Sequence, residues 1–174
     1  MQVLKFGGTS VANAENINKV VAIVKDAIIK DRSIVVVSAL GGITDILLGA
    51  ATLAAAGDET YKEQLQIVEQ RHLDAVKALL PVTGQSGVLS MVKKYCNEIE
   101  DTCNGVFLLR ELSAQTKDRI MSYGELLSSH IIAHRFKAAG IEAEWKDSRE
   151  LILTDSNFGN ARVDFTVTNQ QVEK

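Results

Sequence analysis

Ile34-Val35-Val36-Val37 is a run that few local structures accommodate. Consecutive β-branched residues are stiff in a helix and leave no polar face for water, so the run reads as a strand covered on both sides in a parallel sheet. The strand is expected over Ser33 to Ser38. Upstream, Ile17, Val20, Val21, Val24 and Ile28 recur at helical spacing between Asn13 and Lys30. Gln2 to Phe6 reads as a further strand, closed by Gly7-Gly8. Strand, crossover helix and strand form a βαβ unit, whose connection is right-handed.

After Leu40-Gly41-Gly42 a helix resumes near Thr44, and Thr60 to about Leu112 is mostly helical. Breaks are expected at Leu80-Pro81 and at the glycines near Gln85. Pro81, the single proline, marks a helix boundary. Another helix runs from Ala114 to Ala139 and stops at Gly140, a natural residue just past a helix end. Strands are expected at Glu142 to Lys146 and Leu151 to Leu153, a loop or hairpin at Ser156 to Asp164, and a polar stretch after it. Helices alternating with apolar strands give the α/β class, a three-layer α/β/α sandwich on a mainly parallel sheet. Four strands are few for such a sheet, so the sheet is expected to be incomplete.

With 174 residues the chain is long enough for one core, and aromatics at 5% leave Val, Ile, Leu and Ala to build it. A formal net charge of -3 without a dense basic block argues against nucleic acid or an anionic membrane as partner. No apolar run reaches the roughly 20 residues that span a bilayer, and no signal peptide is expected at Met1 to Gly8. A cytoplasmic protein is expected. Cys96 and Cys103 fit no metal or redox spacing and read as free thiols on one helix. His130 and His134 stand four residues apart but lack a third ligand, so no metal site is expected; with His72 they read as packing or surface residues.

Chemistry concentrates in three places. In Lys5-Phe6-Gly7-Gly8-Thr9-Ser10, paired glycines let backbone N–H groups approach an anion, and the next helix adds its positive end. Lys5 could meet a phosphoryl oxygen, with Thr9 and Ser10 as further donors; the plainer reading is a tight turn. Ser38-Ala39-Leu40-Gly41-Gly42-Ile43-Thr44-Asp45 ends the other strand. Parallel strands would bring both turns to one sheet edge, where ligands collect in open α/β sheets. Ser38 as a strand-end hydroxyl and Thr44 as a helix N-cap is the alternative. Third, Gly124-Glu125 lies inside a helix, where glycine costs about 1 kcal/mol against alanine. Glu125 could hold an ammonium group, or be a solvated carboxylate, which is the commoner case.

KFGGTSVANAE at Lys5 to Glu15, VVVSALGGITD at Val35 to Asp45 and SYGELLSS at Ser122 to Ser129 resemble the aspartate kinases of the amino acid kinase superfamily. The run VANAE looks most like the bifunctional aspartokinase–homoserine dehydrogenases. Trp145, Asp147, Arg149, Thr154-Asp155, Phe158-Gly159 and Asp164 fit the same pattern in order. The resemblance implies transfer of the ATP γ-phosphoryl group, with Mg2+, to the β-carboxylate of L-aspartate, the first step towards lysine, threonine and methionine. It implies Lys5 as the catalytic cation, Gly7, Gly8, Thr9, Ser10, Gly41 and Gly42 around phosphate, and Ser38, Thr44 and Glu125 on aspartate. A homodimer is plausible. The family's later motifs, among them its nucleotide-binding half, are absent. Residues 1–174 are therefore expected to be the N-terminal, substrate-binding lobe, inactive by itself. Kinases of the same superfamily acting on other substrates, or a non-catalytic oligomerisation or regulatory fragment, are the alternatives.

Overall fold

In a computed structural model, which describes residues 1–173, the chain forms the expected βαβ unit followed by a helical bundle. Strand β1 is Gln2–Phe6, helix α1 Ala14–Lys30 and strand β2 Ser33–Val37. The strands pair in parallel, Gln2 opposite Ser33 and Phe6 opposite Val37. The Asn13 side chain caps α1 by accepting from the Asn16 N–H at 3.0 Å, an interaction worth about 1 kcal/mol.

Helices α2 (Ile43–Ala56), α3 (Tyr61–Leu79), α4 (Val82–Leu109) and α5 (Ala114–Ala138) pack on one another, and α5, with α1, packs on β2. Leu4, Phe6, Val35 and Val37 point into the core that these helices share with α1. Ile17, Ile43, Leu47, Ile99, Ile120, Leu127, Ile131 and Ile132 are fully buried there. Aliphatic residues indeed dominate it.

The other sheet face differs from the expectation. Val3 is 63% exposed, Ile34 45% and Val36 45%. Side chains alternate across a strand, so one covering layer satisfies only every second residue. The β-branched run is thus apolar on two faces but buried on one among the described residues.

Among the described residues the sheet has two strands instead of the expected four. Glu142 to Lys146 alternates in burial, yet pairs with no strand among the described residues. Side-chain docking fixes it instead: the Trp145 indole N–H donates to Ser129 Oγ at 3.0 Å, and its ring stacks on His130 at 3.6 Å between centroids. Leu151 to Leu153 is likewise no strand. A 3-10 turn at Ser148–Glu150 precedes it, and Thr154 and Val163 form an isolated antiparallel bridge across the segment expected to be a loop or hairpin.

Pro81 does mark the boundary between α3 and α4, but Gly84 and Gly87 lie inside α4 and break nothing. Buried Val88, Val92, Cys96 and Ile99 tie that helix to the bundle, which outweighs the glycine propensity cost. Gly140 ends α5 with φ +79°. The polar stretch expected after Asp164 is a short helix, α6 (Phe165–Val172), capped where Asp164 Oδ1 accepts from the Val167 N–H at 3.1 Å. Asp147 similarly holds Arg149, whose guanidinium keeps that carboxyl below its usual range. Among the described residues no helix is long and apolar enough to cross a membrane.

Candidate functional site

Both glycine turns leave the same edge of the parallel pair. The Ser38 N–H donates to the Phe6 carbonyl at 3.1 Å, carrying the ladder one step past β2 and aligning the two strand ends. Gly8 lies against the second turn: a Cβ built there would sit 3.6 Å from the Ala39 carbonyl oxygen and 3.8 Å from Ser38 Oγ. At Gly41 a Cβ would come within 2.9 Å of Ala12 Cβ, closer than packed atoms approach. Gly42 has φ +76°, a left-handed conformation that glycine adopts freely. The turns touch because they lack side chains.

Within the first turn, the Ser10 and Val11 N–H groups donate to the Gly7 carbonyl, and Thr9 and Ser10 are exposed. Lys5 is exposed too, on the open sheet face, and forms no ion pair with any carboxylate among the described residues. An unpaired ammonium beside a glycine turn is free to engage an incoming anion. Gly42, not Thr44, is the N-cap of α2, and no side chain caps it. The cap alternative for Thr44 therefore fails: its hydroxyl starts from inside the first helical turn, half-buried.

Helix α5 closes the third side. A Cβ at Gly124 would meet Ala39 Cβ at 2.9 Å, so glycine lets α5 seat directly on the end of β2. Ser128, fully buried, donates to the Ser38 carbonyl at 2.7 Å. Between them Glu125 points outward and is exposed, with no ion-pair partner among the described residues. The α5 motif is thus brought to the Ser38 end of β2, while Lys5 stands one residue before the end of β1, which Ser38 reaches through the Phe6 carbonyl.

Two contributors were not assigned a role from the sequence. Ser128 stands within SYGELLSS, one helical turn after Glu125, a spacing that could have drawn attention to it. Arg71, in the middle of α3, donates from Nη2 to the Gly41 carbonyl at 2.7 Å. Nothing local distinguishes Arg71 from any solvated helical arginine.

The histidines lie apart from this edge. His72 is fully buried, and its Nδ1–H donates to the Val68 carbonyl at 2.6 Å. His130 lies 3.2 Å from the Tyr95 hydroxyl as well as on Trp145, and His134 is exposed. Among the described residues no three His, Cys, Asp or Glu side chains are grouped to hold a metal ion. Cys96 and Cys103 are both buried and free on α4, and burial pushes each thiol up to about 11. A thiol so shifted is a poor nucleophile near neutrality.

A parallel βαβ unit with glycine turns at the carboxyl ends of its strands, packed against a helical bundle, defines an α/β protein. The amino acid kinase family profile matches residues 1–174, and the chain belongs to that family. It is 30% identical over 165 residues to aspartokinase 1, chloroplastic, of Arabidopsis thaliana, covering 92% of this chain and 28% of that protein. Over 174 residues it is 28% identical to the bifunctional aspartokinase/homoserine dehydrogenase 1, chloroplastic, of the same plant, covering 99% of this chain and 19% of the relative. The fold matches E. coli aspartokinase III in complex with aspartate and ADP with TM-score 0.89 at 25% identity, covering 99% of this chain and 37% of that one. Clostridium acetobutylicum aspartate kinase shares the fold at TM-score 0.76 and 23% identity, covering all of this chain and 36% of that one. The chain thus spans less than a third of the curated relatives it matches.

Proposed function

We propose that residues 1–174 form the substrate-binding lobe of an aspartate kinase, which transfers the γ-phosphoryl group of ATP to the β-carboxylate of L-aspartate. The observation that supports this reading is the contact of the Gly7-Gly8 and Gly41-Gly42 turns at one edge, with α5, which carries Glu125, seated on the end of β2 through Gly124 and Ser128. Aspartate and ADP occupy the E. coli relative whose fold this chain shares, which supports both substrate classes.

In this reading the chain works by positioning and charge, since phosphoryl transfer needs little covalent help from the protein. Lys5 places its ammonium against the transferring phosphoryl group, where negative charge spreads in the transition state. Backbone N–H groups of Gly7, Gly8, Gly41 and Gly42, with the exposed Thr9 and Ser10 hydroxyls, surround phosphate oxygens. Ser38 and Thr44 hydroxyls hold aspartate, and Glu125 takes its α-ammonium. No described residue is assigned to Mg2+, which would enter with the nucleotide and supply charge neutralisation at its phosphates. No described residue here is assigned to adenine or ribose, so the lobe alone is expected to be inactive. A homodimer and a cytoplasmic location remain part of the proposal.

Calorimetric titration of the purified chain with L-aspartate, and separately with MgATP, tests this. Weak aspartate binding without nucleotide binding is the expected result. Tight MgATP binding would overturn the division of the site between two lobes.

A further inference from the structure

Leu40-Gly41-Gly42-Ile43 is a β-turn closed by the Ile43 N–H, which donates to the Leu40 carbonyl at 3.0 Å. Gly42, third in the turn, has φ +76° and ψ -2°, while Gly41 does not have a positive φ. These angles define a type II turn. Types I and II differ by roughly half a rotation of the central peptide, and both keep the same closing hydrogen bond. With glycine at both central positions, neither form meets a side-chain clash within the turn itself. The closing bond therefore does not select between them.

Arg71 does. Its Nη2 donates to the Gly41 carbonyl at 2.7 Å, and its Nη1 lies 3.9 Å from the position of a Cβ on Gly42. The guanidinium is half-buried and forms no ion pair with a carboxylate among the described residues, so this carbonyl is its one hydrogen-bond partner there. In a planar trans peptide, C=O and N–H point in opposite directions. Holding the Gly41 carbonyl toward α3 turns the Gly42 N–H away from α3. The flipped, type I form would aim that N–H at a guanidinium, two donors facing each other, and turn a carbonyl oxygen to the other side.

We propose that Arg71 is a positioning residue that holds the central peptide of this turn in its type II orientation, so that the Gly42 N–H and not the Gly41 carbonyl faces the ligand. The ligand side of this inference rests on the anion-binding reading of the turn; the hold on the peptide does not. Arg71 touches no substrate in this account. It acts through one peptide group, from a helix that contributes nothing else to the crevice.

Nuclear magnetic resonance on the labelled full chain, compared with Arg71→Met and Arg71→Lys, tests it. Methionine keeps most of the aliphatic stem but donates nothing; lysine keeps a charge and a donor. In the unsubstituted chain the Gly41 Hα to Gly42 amide Overhauser effect is strong, as type II requires. It falls several-fold in Arg71→Met, with exchange broadening at Gly41 and Gly42, and recovers in part in Arg71→Lys. An unchanged effect in Arg71→Met overturns the proposal. Should that variant fail to fold, the Arg71 Nη protons of the unsubstituted chain decide: slowed guanidinium rotation supports the hold, and free rotation overturns it. Inorganic pyrophosphate is then titrated, and the Gly42 amide is expected to shift several-fold more in the unsubstituted chain than in Arg71→Met. If Arg71→Met releases the turn while pyrophosphate moves no Gly42 amide, the hold stands and the anion-binding reading of the turn fails.

Discussion

Ser128 Oγ and the carbonyl of Ser38 lie 2.7 Å apart across 90 residues of sequence, and that bond fixes α5 to the end of β2. The Ser38 carbonyl has left the strand ladder and would otherwise be poorly satisfied against a packed helix. Four residues earlier on α5, Gly124 lets the same helix approach Ala39. Together they determine where Glu125 stands relative to Ser38 and the glycine turns.

Gly124→Ala should therefore destabilise the chain although alanine is the better helix former. The propensity gain is about 1 kcal/mol. A methyl group 2.9 Å from Ala39 Cβ has no flexible neighbour to displace, and overpacking of this kind costs about 1–3 kcal/mol. Ser128→Ala should cost about 1–3 kcal/mol by leaving the Ser38 carbonyl without its donor. Urea unfolding measures both; a gain in stability for Gly124→Ala would mean that α5 can slide off β2 without penalty.

Lys5→Ala should leave folding unchanged and remove turnover from a kinase that contains this lobe. Lys5 is exposed and unpaired among the described residues, and surface substitutions away from special features shift stability by no more than about 0.5 kcal/mol. A steady-state kinase assay beside a urea curve separates the two effects. Surviving turnover would reduce Lys5 to a surface residue.

His72 should make the chain acid-sensitive. Burial is the main cause that lowers its imidazole from 6.5 to about 4, and Arg71 adds to it, while the bond to Val68 opposes them. Between those two values the unfolded chain binds the proton and the folded chain does not. Stability from this group is thus fully present above about pH 6.5 and declines as pH falls towards 4, by on the order of 3 kcal/mol. His72 Nε2 is buried without a hydrogen-bond partner, so His72→Leu removes an unsatisfied acceptor along with the titration. Urea midpoints at pH 7 and pH 4.5 should differ less in His72→Leu than in the unsubstituted chain.

Trp145, the single tryptophan, should report the protonation of His130 through its fluorescence. The two rings stack, and a charged imidazole quenches an indole more than a neutral one. Burial chiefly, with His134 adding and Asp147 opposing, holds His130 below its ordinary value of 6.5. The emission should fall on acidification with a midpoint below 6.5, and the transition should vanish in His130→Gln. A transition that persists in that variant would assign it to another group.

The sequence by itself determined the elements whose signals are local. The β-branched run at Ile34 to Val37, the helical spacing of Ile17 to Val24, Pro81 between two helices and Gly140 past the end of α5 each act within a few residues. The glycine pairs were legible for the same reason, since a missing Cβ is a property of the residue itself. Tertiary structure alone decided which segments pair and which side chains meet. Glu142 to Lys146 alternates like a strand, but a strand requires a partner, and Trp145 docks on α5 instead. Arg71 reaches Gly41 across 30 residues and Ser128 reaches Ser38 across 90. A hydrogen bond between distant residues depends on how the helices pack, and packing is a property of the whole core rather than of any one stretch of chain.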